Sequence, residues 1–385
     1  MVNICITASY DILDSTYGGG ARVKGLLKAL SETSEIDKIV VVYPFAKTYY
    51  NKNIVVKNYL SHRSFNFLRA FHNVSIIDEI NPFRTATLIK IVRKFNINLL
   101  QNESIVGGLN SAAVSKYCNI PLVIDEHNFE ADITKEVRRN RLIQLYSKWL
   151  ENSVIKSAAF TLTVSEEDRR KISLAYDIDY SKTAVIPNGV DYTTFHLNTN
   201  QKVIAKSKLQ LDGKFVLFFH GSLDYGPNKE AVTLISDFVL PRVVRKIPNA
   251  FFLIVGRNPP LLSYDPHFLK FTGYVPNLID YLAASDLAIV PLLRGGGTKT
   301  KLLDYLASGV PIIATRKAVE GLPLENNVHA LLSETVDEDF IENILTLYNN
   351  QILSENISRN CQKLAEKYDW KSISRKLVQI YQKLM

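Results

Sequence analysis

The chain has 385 residues, of which 46% are hydrophobic and 22% are charged, and its formal net charge is +8. This composition is globular and excludes disordered and fibrous classes, while the length suits two domains better than one core. No apolar run reaches the roughly 18 residues that a membrane span requires. Cys5, Cys118 and Cys361 lie too far apart in sequence for a zinc site or a disulfide framework. The N-terminus begins as a strand and not as a secretory signal, so we expect a cytoplasmic protein.

Apolar runs of strand length alternate with helical patterns along nearly the whole chain, which predicts parallel α/β architecture. The predicted strands span 3–7, 38–43, 97–101, 121–125, 159–164, 184–187, 215–220, 250–255, 269–272, 287–293 and 311–314. The main predicted helices are one long helix from 131 to about 156 and shorter ones over 229–244, 278–284, 299–307 and 368–385. A polar stretch between 188 and 214 is the natural boundary between two doubly wound domains.

The positive charge is concentrated in the segment 38–94, which has ten basic residues against two acids. These basic residues are Lys38, Lys47, Lys52, Lys57, Arg63, Arg69, Arg84, Lys90, Arg93 and Lys94. A charge run is often only a solvated face. Because Phe65, Phe67 and Phe71 are interleaved with the charge, an anionic membrane surface or a lipid-phosphate acceptor fits this segment better than nucleic acid.

The most informative stretch runs from Gly295 to Thr315. Three glycines follow a predicted strand, and a helix then begins near Thr298 and ends at Gly309, a C-cap glycine. The free N–H groups and the positive dipole end of such a helix favour phosphate. Asp304 lies within the helix, where a carboxylate reaches the hydroxyls of a ribose. The other residues that we expect at this site are Gly297, Lys299, Thr300 and Lys301.

Three further segments follow predicted strands, where α/β proteins bind their ligands. The glycine run 18–20 precedes Arg22 and fails both the dinucleotide and the P-loop fingerprints. It is either a flexible loop or a place where the backbone closely approaches a phosphate or an acceptor. His127 follows the run 121–125 and is either structural or part of a site. Gly221 ends another strand and lets a phosphate approach the backbone.

Five segments in this order, 18–22, 125–130, 185–195, 221–229 and 295–315, together resemble those of a retaining glycosyltransferase of the family-four type. The resemblance covers essentially the whole chain. It implies the GT-B fold, in which two doubly wound, Rossmann-like α/β domains face a cleft. It also implies an acceptor-side domain over 1–195 with a C-terminal crossover helix over 368–385, and a nucleotide-sugar-binding domain over 196–367.

The resemblance implies roles for individual residues. The donor-binding set is Gly19, Gly20, Gly221, Lys229, Val275, Gly297, Thr300, Lys301, Asp304 and Glu320. His127, Lys229 and Asp304 are expected to carry the catalysis, and Arg22 and Asn188 are expected on the acceptor side. Asp304 matches the second of a pair of glutamates in the family. Gly296 stands in place of the first, and Glu320 is expected to replace it in part.

The predicted function is transfer of a sugar, with retention of configuration, from a nucleotide sugar to a hydroxyl of a sugar, glycan or lipid-linked acceptor. The setting would be polysaccharide, glycan or glycolipid assembly, with peripheral contact at the inner face of an anionic membrane. No metal, other cofactor or nucleic acid is expected, because lysines and helix N-termini would stabilise the leaving diphosphate. Three alternatives stay open: an inactive nucleotide-binding scaffold, a nucleotide-sugar epimerase, and a phosphorylase on the same fold.

Overall fold

The computed structural model describes residues 1–13, 18–44, 49–51, 53–59, 79, 81–137, 140–262 and 264–385. The strands are β1 (Val2–Thr7), β2 (Ile36–Val42), β3 (Tyr49–Asn51), β4 (Ile54–Lys57), β5 (Leu99–Glu103), β6 (Leu122–Glu126), β7 (Phe160–Thr163), β8 (Thr183–Val185), β9 (Phe215–His220), β10 (Ala250–Val255), β11 (Leu269–Phe271), β12 (Leu287–Val290), β13 (Ile312–Thr315) and β14 (Ala330–Ser333).

The helices alternate with these strands. They are α1 (Gly18–Ser31), α2 (Pro82–Lys94), α3 (Gly108–Cys118), α4 (Glu130–Val137), α5 (Arg141–Ser157), α6 (Glu166–Tyr176), α7 (Tyr192–Phe195), α8 (Thr199–Lys208), α9 (Gly226–Leu234), α10 (Leu240–Lys246), α11 (Leu278–Ala283), α12 (Thr300–Ser308), α13 (Arg316–Val319), α14 (Glu338–Asn349), α15 (Gln351–Ala365) and α16 (Trp370–Leu384). A π-helical turn, Ile235–Val239, joins α9 to α10. In the part of the chain that the structure describes, no helix is long and apolar enough to cross a bilayer.

The chain divides into two compact units. Unit 1 comprises Met1–Asn188 and Trp370–Met385, and unit 2 comprises Gly189–Asp369. The sheet of unit 1 has the strand order β3-β4-β2-β1-β5-β6-β7-β8 and is parallel except where β3 pairs with β4. The sheet of unit 2 is parallel throughout, with the order β11-β10-β9-β12-β13-β14. Each is therefore a doubly wound α/β unit, in agreement with the predicted fold class.

Comparison of the predicted elements with the structure shows where local patterns succeed. The predicted strands are confirmed to within a few residues, whereas the short strands β3, β4 and β14 were not predicted. The prediction of one long helix from 131 to about 156 is wrong. The structure has α4 and α5 instead, and Asn140 caps α5 because its side chain accepts a hydrogen bond from the N–H of Leu142.

Two glycine predictions have different outcomes. Gly309 ends α12 in the left-handed region with φ of +66°, as its C-cap pattern predicts. The glycine run 18–20 forms the first turn of α1, so it is not a loop ahead of the helix. Of the basic segment, Lys47, Lys52, Arg63, Arg69 and the phenylalanines at 65, 67 and 71 lie outside the described residues.

The C-terminal helix α16 belongs to unit 1 and packs on α1. Its buried residues Ile373, Leu377 and Tyr381 join the core formed by β1, β2 and α1. At the start of α16, Trp370 lies against Gly25 so closely that a Cβ at position 25 would be 2.2 Å from the indole. The absence of a side chain at Gly25 is therefore what lets α1 and α16 approach each other here.

This packing predicts that Gly25→Ala destabilises the protein. Alanine ordinarily stabilises a helix interior by about 1 kcal/mol relative to glycine, but here its methyl group must displace Trp370. We expect a net loss of about 1–3 kcal/mol in the free energy of unfolding, measured in urea. Gly226→Ala is the control, because a Cβ at that helical position meets nothing within 4 Å. Equal stability of the two variants would contradict the packing.

Two carboxyl groups are buried beside the end of β6. Glu126 is 1% exposed, and neither of its oxygens has a hydrogen-bond partner among the described residues. Glu151 of α5 accepts hydrogen bonds from the N–H groups of Glu130 and Ala131 at the start of α4 and from the hydroxyl of Tyr176. Burial raises the pKa of Glu151 to about 7. Burial and the nearby charge of Glu151 also raise the pKa of Glu126 well above its usual range.

A pH-dependent stability follows from the raised pKa of Glu126. A carboxyl whose folded-state pKa is raised contributes its full stability below its unfolded pKa and loses it as the pH rises through the folded pKa. We therefore expect the wild-type free energy of unfolding to fall as the pH rises above 4.5, the ordinary pKa of this group, by up to about 1.4 kcal/mol per pH unit. Glu126→Gln should flatten that fall in urea unfolding series.

The matched control is Glu334→Gln, whose native side chain is 80% exposed. It should leave the wild-type pH dependence intact. A Glu126→Gln series as steep as the wild type would show that ionisation of Glu126 is not linked to folding.

Candidate functional site

Gly221 directly follows the carboxyl end of β9, and any side chain at this position would clash with two polar groups. A Cβ on Gly221 would lie 2.8 Å from Nδ2 of Asn228 and 3.0 Å from Nζ of Lys301. Asn228 is in the first turn of α9 and Lys301 in the first turn of α12. The starts of two helices thus converge on one strand end, which is the arrangement that predicts phosphate binding.

Lys301 is buried at this strand end. Its Nζ donates a hydrogen bond of 2.7 Å to Oδ1 of Asn228 and lies 3.9 Å from the centroid of the Phe219 ring. Among the described residues no carboxylate forms an ion pair with this ammonium group. Burial, and then the charge of Lys299, lower the pKa of Lys301 to about 7. In its charged form this group therefore has no carboxylate ion-pair partner in the part of the chain that the structure describes.

Asp304 lies one turn further along α12, beside His220 at the end of β9. Its Oδ2 is 3.4 Å from Nε2 of His220, an atom that is buried without a hydrogen-bond partner among the described residues. Burial raises the pKa of Asp304 to about 8, and burial together with Lys301 lowers that of His220 to about 3. The Asp304 side chain is 22% exposed, and the neighbouring imidazole of His220, which is 13% exposed, is neutral near pH 7.

The glycine loop before α12 is shaped by Lys299. Its Nζ donates to the carbonyl oxygens of Gly295, Gly296 and Gly297 at 3.0, 3.3 and 2.7 Å. Gly297 has φ of +65°, a conformation that glycine adopts readily. Sequence reasoning took Lys299 as added positive charge at a phosphate site. In the structure its ammonium group is instead bound to the three loop carbonyls.

A second turn adjoins this loop. A Cβ on Gly321 would be 2.6 Å from Oγ1 of Thr298, so residues 320–321 pack against the loop. Glu320 is exposed, and its carboxylate accepts a hydrogen bond of 2.6 Å from Nζ of Lys317. Sequence analysis predicts that Glu320 partly replaces the missing glutamate. In the structure its carboxylate is already paired with the ammonium group of Lys317.

The remaining predicted donor residues of unit 2 lie around this cluster. Thr300 is the first residue of α12, whose N-terminus has no side-chain cap. Lys229 is exposed in α9, next to Asn228. Val275 is half-buried after β11, at the sheet edge two strands away from β9. The structure thus brings together Gly221, Lys301 and Asp304, adds Asn228 and His220, and leaves Val275 further along the sheet edge.

In unit 1, the buried side chain of Arg22 forms hydrogen bonds to two other segments of the chain. It is 1% exposed, and its Nε and Nη2 donate to the two carboxylate oxygens of Asp125 at 3.0 and 2.9 Å. Its Nη1 donates to the carbonyl oxygen of Pro187 at 2.9 Å and to Oδ1 of Asn188 at 3.3 Å. Arg22 thereby joins α1, whose first turn contains Gly19 and Gly20, to the end of β6 and to the last residues of unit 1's first segment. Its acceptor-side role, like that of Asn188, stays a prediction.

His127 follows β6 directly and lies next to a carboxylate that sequence reasoning missed. Its Nε2 is 2.8 Å from Oε2 of Glu103 and 4.0 Å from Oδ2 of Asp125, and its side chain is 12% exposed. Glu103 ends the neighbouring strand β5 and is 1% exposed. The signal in the sequence was the polar run that closes an apolar strand, Gln101-Asn102-Glu103.

Glu103, Asp125 and His127 offer ligand atoms that lie within 4.8 Å of one another. Both oxygens of Asp125 are already bound by the guanidinium of Arg22. A metal ion here would lie against that positive charge, so the donor set does not fit a cation.

Comparisons with known proteins show which family the chain resembles in sequence. Residues 18–194 match the family model described as Glycosyltransferase Family 4, and residues 214–350 match that described as Glycosyl transferases group 1. The chain is 24% identical over 301 residues to the UDP-Gal:alpha-D-GlcNAc-diphosphoundecaprenol alpha-1,3-galactosyltransferase of Escherichia coli, covering 75% of this chain and 76% of that protein. It is 22% identical over 259 residues to an uncharacterized glycosyltransferase of Methanocaldococcus jannaschii, covering 64% of each.

Solved structures show the same fold. Sucrose-phosphate synthase from Thermosynechococcus elongatus superposes with a TM-score of 0.77 at 15% identity, covering 100% of this chain and 99% of that one. Anabaena HepE in complex with UDP superposes with a TM-score of 0.73 at 16% identity over 100% of both chains. The two family models together match most of the chain, on the two sheets just described. The chain therefore belongs to the family-four, group 1 glycosyltransferases, and it is an enzyme that transfers glycosyl groups.

Proposed function

We propose that this enzyme transfers a sugar from a uridine diphosphate sugar to a hydroxyl of a lipid-linked or glycan acceptor, with retention of configuration. The observation that carries the proposal is the buried ammonium group of Lys301. It has no carboxylate partner among the described residues, and it lies where a Cβ on Gly221 would approach it to 3.0 Å. A diphosphate at this strand end would supply the missing negative charge.

The leaving diphosphate needs stabilisation as its charge develops. Lys301, the exposed Lys229 and the N-terminal N–H groups of α9 and α12 offer positive charge and hydrogen-bond donors at one place. We therefore propose that the reaction requires no metal ion. UDP is the proposed nucleotide because the Escherichia coli relative is named for UDP-Gal and the HepE structures for UDP and UDP-glucose.

Asp304 is proposed to bind the ribose hydroxyls, since its carboxyl group is the partly exposed acid of the cluster. At Gly296 the family's first glutamate is replaced by a residue without a side chain. With Lys299 holding the loop carbonyls, we propose that loop N–H groups bind the donor sugar in place of that carboxylate. Retention is proposed to follow from attack on the face that the diphosphate leaves, with a diphosphate oxygen accepting the acceptor proton.

The donor site is tested by thermal stabilisation with UDP, GDP, ADP and their sugar conjugates. A ligand at one hundred times its dissociation constant adds about 2.7 kcal/mol of stability. We expect stabilisation by UDP that is weakened in both Lys301→Met and Asp304→Asn. Lys246→Met, which changes a half-exposed lysine elsewhere in unit 2, is the matched control and should respond like the wild type. Equal responses of all variants would contradict this donor site, and binding without transfer to any acceptor would favour the scaffold alternative.

A lipid-linked acceptor is proposed because the Escherichia coli relative is named for a diphosphoundecaprenol substrate. Such a substrate requires contact with a membrane. Helix α5 offers a suitable surface: Leu142, Leu145 and Trp149 are 75%, 56% and 55% exposed. These three side chains fall on one face of the helix.

The charge of α5 complements an anionic bilayer. Arg141, Lys148 and Lys156 are exposed beside the apolar residues, and Glu151, the only acid of the helix, is buried on the opposite face. An open groove of about 410 Å³ is lined by Leu145, Trp149 and the two lysines, together with residues of α6. Exposed apolar residues flanked by cations are typical of helices that lie in a membrane interface. We propose that α5 binds the bilayer surface.

This proposal predicts binding to vesicles that contain phosphatidylglycerol. The double variant Leu145→Glu with Trp149→Glu should weaken co-sedimentation by more than about tenfold, because two apolar anchors become anions near anionic lipid. The matched control is Val203→Glu with Ile204→Glu on α8, which are 65% and 66% exposed. Unchanged binding of the α5 variant would contradict the assignment. In the wild type, Trp149 emission should shift to the blue on binding, and Trp149→Phe should abolish that shift.

A further inference from the structure

Glu103, Gln101 and Tyr381 form a buried hydrogen-bonded chain that ends at His127 and has no part in the chemistry described so far. We propose that Glu103 is a positioning residue that fixes the tautomer of His127, so that Nε2 carries the proton and Nδ1 is presented to a non-reacting hydroxyl of the bound substrate. The part played by Nδ1 rests on the proposed function, whereas the tautomer itself does not.

The proton on Nε2 follows from the groups around it. Oε2 of Glu103 is 2.8 Å away, within hydrogen-bond distance, whereas Oδ2 of Asp125 is 4.0 Å away. An ionised carboxylate only accepts hydrogen bonds, so the imidazole nitrogen must donate. Asp125 cannot compete for this proton, because Arg22 binds both of its oxygens.

The other oxygen of Glu103 is also held. Nε2 of Gln101 donates to Oε1 of Glu103 at 2.7 Å, and Oε1 of Gln101 accepts the hydroxyl hydrogen of Tyr381. Gln101 and Glu103 are two residues apart on β5 and therefore share one face of the sheet. Tyr381 belongs to α16 and is fully buried. Every donor in this chain points toward Glu103, which suits an ionised carboxylate whose rotamer is fixed by the fold.

The charged groups near His127 are Glu103, Asp125, Arg22 and Glu130. Arg22 and Asp125 neutralise each other, and burial raises the pKa of Glu130 by more than the nearby imidazole lowers it. Among the described residues none hydrogen-bonds to Nδ1, and the side chain is 12% exposed. Nδ1 is therefore the ring atom left to accept a hydrogen bond from a substrate hydroxyl other than the attacking one, whose proton goes to the diphosphate, and this contact would orient the substrate.

The tautomer is measured directly by imidazole nitrogen NMR on the full-length protein labelled in its histidines, with His127→Gln used for assignment. At a pH where the ring is neutral, we expect the wild type to carry the proton on Nε2. In Glu103→Gln the amide can accept or donate, so a mixture of tautomers should appear. A wild-type proton on Nδ1, or an unchanged tautomer in Glu103→Gln, would overturn the proposal.

Kinetics test the consequence for catalysis. We expect Glu103→Gln to lower kcat by more than about tenfold with little change in the KM for the donor, since unit 2 is untouched. Combined with His127→Gln it should add little further loss, because the two residues act as one unit. Additive losses would overturn the coupling.

Tyr381→Phe keeps the apolar ring and removes only the hydroxyl, so it should give a smaller change in the same direction. UDP-induced stabilisation should match the wild type in all three variants, which separates this proposal from the donor site. If Glu103→Gln changes the tautomer but His127→Gln transfers sugar at the wild-type rate, the assigned role of Nδ1 is wrong.

Discussion

The ion pair between Arg22 and Asp125 is the contact on which the polar part of unit 1 depends. Both groups are buried, and the guanidinium uses its remaining nitrogen to bind Pro187 and Asn188. Removal of one partner from a buried pair typically costs about 3–5 kcal/mol, because the other charge is left without compensation. The pair fixes the end of β6 immediately before His127. It also occupies Asp125, which leaves Glu103 as the nearest acceptor for the imidazole.

Unit 2 differs from unit 1 in how its buried cationic side chain is surrounded. Lys301 has an amide and an aromatic ring as neighbours but no carboxylate ion-pair partner among the described residues. Asp304 and His220 beside it are held in neutral forms near pH 7 by burial. Such an arrangement costs stability in the free protein, and perturbed groups of this kind cluster where ligands bind. Under the proposed function, the charge that a diphosphate brings would relieve that cost.

Much of the fold was predictable from the sequence because strand ends and helix caps are local signals. The run 215–220, the C-cap at Gly309, the position of His127 after β6 and that of Asp304 within α12 all follow from residues close together in the chain. The break between α4 and α5 was missed because apolar spacing continues across it and only the cap at Asn140 marks it.

The contacts that matter most at the candidate site were not predictable in this way. Glu103 meets His127 because β5 and β6 are in register, with Glu103 opposite Asp125, and register is set by the whole sheet. Lys299 binds the carbonyls of its own loop only because the glycines adopt conformations that no composition rule specifies.

The most direct test of the proposed chemistry is the anomeric configuration of the product. Wild-type enzyme would be incubated with a UDP-α-sugar and a diphospholipid-linked sugar acceptor, without added metal, and the purified product examined by proton NMR. A new α-linkage formed together with UDP is the predicted result. A β-linked product would contradict retention, and release of UDP with only free sugar would contradict transfer to this class of acceptor.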